Sequence, residues 1–238
     1  MRSKVSRRFL ITLVLGILDA MLETWAKRWK EAFSEPGFTS SLAISIILCV
    51  GAFFVNVFAI RFATVRASNP VTDLVLSNIP VFNVDALFVY GSFIFAALAV
   101  IIILPHPKRI PFALKTLALF WIIRSIFTTL THVAPFTDEA VSDFSPRINK
   151  LFFGADRFFS AHTGMPFLGA LAFWRYPMIR YFFLAGAIFF GTIVLLGHLH
   201  YSIDVAAAFF ITYGIFDIAK WLFPKDTNRF YYDLSERI

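Results

Sequence analysis

"SLAISIILCVGAFFVNVFAI", residues 41–60, runs for 20 positions without a charged side chain. A helix of that length rises about 30 Å, which matches the hydrocarbon thickness of a bilayer. Its backbone N–H and C=O groups bond to one another, so the segment can sit in lipid at no cost in unpaired polar groups. This run sets the fold class as all-α and membrane-spanning.

The rest of the chain extends the pattern. Of its 238 residues 58% are hydrophobic, 31 are Phe, and mean hydropathy is +0.73, against roughly 45–50% apolar residues in a soluble domain. Six candidate spans follow from the apolar runs, at about 41–60, 86–104, 111–133, 158–174, 181–197 and 203–223. Breaks fall between or after them at "ASNP", "LPHPKR", "VAPF", "WRYP" and "FPKD". Upstream, "RRFLITLVLGILDAMLETWAKRWK" (7–30) has only about ten uninterrupted apolar residues before Asp19. That is short for a span, so an interfacial helix is expected, with a tilted extra span as the alternative. The chain thus divides into a basic N-terminal segment (1–39), a six-span membrane domain (40–225) and a cytoplasmic tail (226–238). The lone Cys49 lies inside an apolar run and excludes an intramolecular disulfide framework or a cysteine-based metal site.

A formal charge of +7 invites a nucleic-acid reading, but the Lys and Arg residues sit at the ends of apolar runs, where they act as topology determinants. With both termini cytoplasmic, 16 of the 22 fall on the inner side and five (Arg61, Arg66, Arg147, Lys150 and Arg157) on the outer. Arg124 alone is left within a span. No nucleic-acid partner is expected.

That topology brings the unusual polar residues to one membrane face. "NPVTD" (69–73), the end of the third span beyond Arg124 at His132, "DRFFSAHTG" (156–164) and "GHLHYSIDVA" (197–206) all lie on the outer side. His200 and Asp204 are four apart, so a helix places the carboxylate where it can hold one ring nitrogen and leave the other free. A structural hydrogen bond is the plainer reading of that pair alone. Together with His162 and Arg124 it suggests chemistry on an anion, and in lipid the natural anion is phosphate. A neutral imidazole can attack phosphorus while a second histidine, from another element, protonates the departing oxygen. Arginine and backbone N–H groups can hold the remaining oxygens.

These residues resemble the paired histidine motifs of the type 2 phosphatidic acid phosphatase superfamily, and more narrowly its sphingomyelin synthase branch. "SAHT" (160–163) is similar to an S-G-H-T motif preceded by an acidic residue, here Asp156. "HLHYSIDV" (198–205) is similar to H-Y-[ST]-x-D-V preceded by a second histidine. "PVTD" (70–73) and "RSIFTTLTHVAP" (124–135) resemble the branch's upstream motifs. Two positions depart from the pattern: Ala161 replaces the glycine, and Leu199 stands where the synthases often carry an acid.

The resemblance implies a six-helix membrane bundle and a two-step transfer needing neither metal nor organic cofactor. His200 would become the phosphohistidine, Asp204 would orient it, and His162 would act as acid and then base. The candidates for substrate contact are Arg124, Ser160, Asp156, His198, Tyr201 and Asp73. Asp156 equally suits a helix cap, Asp73 a turn, and His198 a structural or gating role. The implied partners are membrane lipids: a glycerophospholipid donor and a ceramide or diacylglycerol acceptor. A homo-oligomer is compatible with such a chain. The implied location is a bacterial plasma membrane or a eukaryotic Golgi, ER or plasma membrane, with the site on the exoplasmic face. Hydrolysis, with water as acceptor, and a catalytically idle lipid-binding relative are the competing readings.

Overall fold

Apolar runs bounded by Pro and Gly dictate helices. A computed structural model describes residues 2–136 and 158–235, and every α or β element among them is an α-helix. In chain order these are α1 (Arg2–Ser34), α2 (Phe38–Val65), α3 (Asp85–Ile103), α4 (Ile110–Leu130), α5 (Ala161–Ala172), α6 (Pro177–Leu196), α7 (Ser202–Leu222) and α8 (Pro224–Ser235). Proline opens α6 and α8 and sits near the start of α4, where its missing N–H is not needed. The turn between α1 and α2 uses Gly37 at φ +77°, a left-handed conformation that glycine adopts without penalty.

Five helices, α2, α3, α4 with the short 3₁₀ turn before it, α6 and α7, are long and apolar enough to cross a membrane, so the chain is a multi-pass membrane protein. The expected fourth span differs. The helix in that region, α5, has 12 residues and rises about 18 Å, well short of a bilayer. Ser160 caps it at one end and "WRYP" stops it at the other.

From α2 to α7 the helices alternate between two ends of the bundle. At one end Ser68 donates to the His132 carbonyl at 2.8 Å, Phe82 N–H to Leu196, and Ser160 N–H to the Asp204 carbonyl. At the opposite end the Glu35 carboxylate accepts from Arg229, and Ser41 donates to Asp226 at 2.7 Å. There α1 also docks, its Trp25 indole and Arg28 guanidinium donating to the carbonyls of Leu104 and Pro105. The most extensive packing is between α2 and α4 and between α5 and its neighbours α6 and α7. On α2 the buried face is Ser41, Ser45, Ala52, Asn56, Ala59 and Ala63, a stripe of small and polar side chains that lets two helices approach closely in lipid. Phe58, Phe210 and Trp221 point outward, as lipid-facing residues do.

The C-terminal segment also differs from expectation. Instead of a tail, residues 224–235 form α8, and its Phe230 is fully buried against Phe112 and Phe173.

Candidate active site

The site lies at the bundle end where α6 hands over to α7. Between them, residues 197–201 make a tight turn in which Leu199 N–H bonds back to Val194 at 2.8 Å. His198 takes a positive φ of +53° there, an uncommon conformation for a residue with a Cβ, held by the packing around it. The turn brings His200 to the position just before Tyr201, the residue that caps α7. The His200 Nδ1 is 3.3 Å from Asp204 Oδ2, and both side chains are buried. The same carboxylate oxygen accepts the Tyr201 backbone N–H at 3.0 Å. Asp204 therefore caps the helix and steers the imidazole at once. With Nδ1 on the carboxylate, Nε2 is the nitrogen turned toward other chemistry.

The second histidine comes from α5. Ser160 is its N-cap, with Oγ accepting from Thr163 N–H at 3.4 Å, and Ser160 N–H donates to the carbonyl of Asp204. That bond ties the start of α5 to the start of α7 and so sets His162 beside His200. His162 lies within electrostatic reach of both His200 and Arg124. Its ring packs 4.4 Å from the Phe88 ring of α3, and it lines an apolar cavity of about 430 Å³.

Arg124, on α4, is 1% exposed. Its Nη1 donates to Asn56 Oδ1 on α2 at 3.1 Å, and its Nε to the Phe159 carbonyl at 3.3 Å. Phe159 has a positive φ of +23°, which turns that carbonyl toward the guanidinium. Two strained residues thus flank the site, one beside each histidine motif. Such strain persists only where surrounding contacts over-determine it.

The remaining candidates brace the site. Asp73 Oδ2 accepts Ser202 N–H at 2.7 Å, while Oδ1 accepts the N–H groups of Val75 and Leu76. Burial raises the Asp73 carboxyl, but the bonds from Leu76, Ser202 and Val75 outweigh it and hold the group below its ordinary range. The Tyr201 hydroxyl donates to Ala134 carbonyl at 2.9 Å and accepts from Val71 N–H at 3.2 Å, latching two loops across the top of α7. The buried His198 ring stands edge-on to Phe136, with neither nitrogen hydrogen-bonded among the described residues. Asp156 lies outside the described residues.

The structure therefore brings His162, His200, Asp204, Arg124 and Ser160 together from α4, α5 and α7. Sequence reasoning missed Asn56, which holds Arg124. Its signal was present, since Asn56 falls on the same α2 face as Ser41, Ser45 and Ala52. Chemically the arrangement offers a carboxylate-held imidazole, a second imidazole from another helix, a buried cation and an adjoining apolar chamber. No family model matches the chain, and neither does any curated protein or solved structure.

Proposed function

We propose that this protein is a lipid phosphotransferase, a sphingomyelin synthase-like member of the type 2 phosphatidic acid phosphatase superfamily in which the short α5 stands in the place of the fourth span. It moves a phospho-headgroup from a glycerophospholipid to a lipid alcohol, ceramide or diacylglycerol, at the exoplasmic face. The observation that carries this reading is that the His200–Asp204 pair and His162 come from different parts of the chain to lie within electrostatic reach of one another and of Arg124, and that His162 also lines an apolar cavity.

In the first step His200 Nε2 attacks phosphorus. The N–P bond forms as the P–O bond to the donor's glycerol oxygen breaks, and His162, which takes up a proton as the phosphate anion arrives beside it, gives that oxygen its proton. Asp204 accepts the hydrogen bond from Nδ1–H and stabilises the positive charge that grows on the imidazole. Arg124 neutralises the phosphoryl oxygens. In the second step His162, now neutral, takes the proton of the acceptor hydroxyl while that oxygen attacks phosphorus. The N–P bond breaks and His200 returns to its starting state. Each histidine reverses its own role between the steps, His200 from nucleophile to leaving group and His162 from acid to base, and they stand on opposite sides of phosphorus because attack and departure do.

The test is mass spectrometry of lipid products after incubating purified protein with mixed phospholipids, ceramide and diacylglycerol, with His200→Ala as control. A new phospho-headgroup lipid that vanishes in the control identifies donor and acceptor together. Released headgroup or free phosphate without a new lipid makes water the acceptor. No product of either kind removes the enzymatic reading.

A further inference from the structure

The cavity beside His162 has a shape that the chemistry above does not use. It is a channel along the bundle axis, lined by α3 from Ser92 to Ile103, by the first turns of α4, and by α5 from His162 to Ala172 and Phe173. Eleven residues of α5 and twelve of α3 correspond to about 16–18 Å of length. At one end stands His162. At the other, Phe173, Phe112 and Phe230 close together, the Phe230 ring centroid being 5.3 Å from Phe173 and 5.4 Å from Phe112. The helix that α3 packs on is α6, and the channel lies between α3 and α4, which both line it; an opening to the bilayer between those two helices is part of the proposal that follows.

We propose that this channel takes one acyl or alkyl chain of the lipid being processed, and that the aromatic floor built around Phe230 sets the length of chain it accepts. The proposal rests on the phosphotransfer reading, because it places the phosphate at His162. An extended hydrocarbon chain advances about 1.3 Å per carbon with ~1.5 Å bonds, so 16–18 Å holds about 12–14 chain atoms. A volume of about 430 Å³ is near the lower end of the range for small-molecule pockets, ~300–1,000 Å³, and suits one chain rather than two. A second chain stays in the bilayer, reached through the α3–α4 gap.

Selection here is steric. A chain moving from bilayer to channel exchanges one apolar surrounding for another, since lipid tails are as apolar as the Ala, Phe and Leu side chains that receive it. Transfer itself therefore discriminates weakly between lengths. A chain that outruns the channel meets three packed rings and has to bend back through the side. Phe230 comes from α8, so the C-terminal helix becomes part of substrate choice.

The experiment uses the full chain in nanodiscs, presented with an equimolar ladder of phospholipids that share one headgroup and differ in chain length on either side of the limit. Two variants push in opposite directions. Phe230→Ala opens the floor and raises the ratio of long-chain to short-chain turnover by about tenfold; Ala99→Phe, on the α3 wall, blocks the channel midway and lowers that ratio by a similar factor. A phospholipid with a diazirine at the chain end, photolysed in the wild-type protein, labels peptides containing Phe112, Phe173 or Phe230. Turnover with ratios unchanged in both variants, or labelling confined to the outer surface, overturns the chain site. Labelling at the floor by a protein that turns over no lipid leaves the chain site standing and removes the phosphotransfer reading instead.

Discussion

One oxygen of Asp204 serves two neighbours: Oδ2 lies 3.3 Å from His200 Nδ1 and 3.0 Å from the Tyr201 backbone nitrogen. The two duties separate by substitution. Asp204→Asn keeps a carbonyl oxygen for the helix cap and loses the charge that stabilises a developing imidazolium, so turnover falls by about 10²–10⁴ while Tm barely moves. Asp204→Ala loses both, adding ~1 kcal/mol of cap energy, a Tm decrease of about 2–4 °C for a chain of this size. Lipid-transfer rates and thermal unfolding of the two variants check this. An Asp204→Asn protein with a tenth or more of wild-type turnover reduces the carboxylate to a cap.

Arg124 is held in two directions, by Asn56 from α2 and by the Phe159 carbonyl from the segment leading into α5. Lysine offers a point charge without the planar fork and cannot reproduce both bonds. Arg124→Lys is expected to lose about 10²–10³ in turnover, the scale of removing one transition-state donor. Asn56→Ala frees one tether and leaves the charge, and its smaller loss, about tenfold, includes a rise in KM as the guanidinium wanders. Equal losses in the two variants would mean that Arg124 serves only to join α2, α4 and α5.

What the sequence revealed and what it hid divide along a physical line. Apolar runs and their Pro and Gly breaks located α2, α3, α4, α6 and α7, because burial in lipid is a local property of composition; α7, expected at 203–223, spans 202–222. The His200–Asp204 pair was legible because it too is local, four positions apart across the cap of α7. Long-range partners were not. Nothing local in the sequence links Asn56 to Arg124, 68 positions away, or Lys115 to Asp226, 111 away. α5 was read too long because apolar residues flank it on both sides, and hydropathy does not show where a helix stops. α8 was read as tail because its charges hid a short buried stripe, Asp226, Thr227 and Phe230, at helical spacing.

Gly164, one turn into α5, lies where a side chain has no room. A Cβ there would come within 2.8 Å of a Phe120 ring carbon and of Thr212 Oγ1. Those atoms belong to α4 and α7, so Gly164→Ala pushes α5 away from both helices and carries His162, two residues earlier, with it. The expected cost is about 1–3 kcal/mol of stability, with loss of turnover. Gly51, on α2, has no atom within 4 Å of its would-be Cβ, and Gly51→Ala should leave stability unchanged or raise it by up to ~1 kcal/mol through helix propensity. Thermal unfolding in one detergent compares the two directly; a neutral Gly164→Ala would show that α5 shifts without consequence.

The far end of the bundle is fastened by charge. Asp226 of α8 accepts from Lys115 at 2.5 Å and from Ser41 at 2.7 Å, and Arg229 bridges to Glu35, which also pairs with Lys108 at 3.3 Å. Burial raises both carboxyls, but bonds from Lys115 and Ser41 to Asp226, and from Arg229 and Lys108 to Glu35, outweigh it and hold them below their ordinary values of 3.8 and 4.5. A carboxyl lowered in the folded state contributes stability that is complete above its unfolded value and is lost as pH falls through the folded one. Docking of α8 should therefore be constant from neutral pH down to about 5 and weaken below about 4. Asp226→Asn produces the loosened state at pH 7, since it leaves the buried Lys115 ammonium without its counter-charge, a loss of about 3–5 kcal/mol when one partner of a buried pair is removed. Amide exchange of residues 224–235 reads the effect in both cases. Loosening α8 also withdraws Phe230 from the cavity floor, so Asp226→Asn should accept longer chains, as Phe230→Ala does. Exchange that is slow and unchanged in Asp226→Asn would mean that the buried Phe230 ring alone holds the helix.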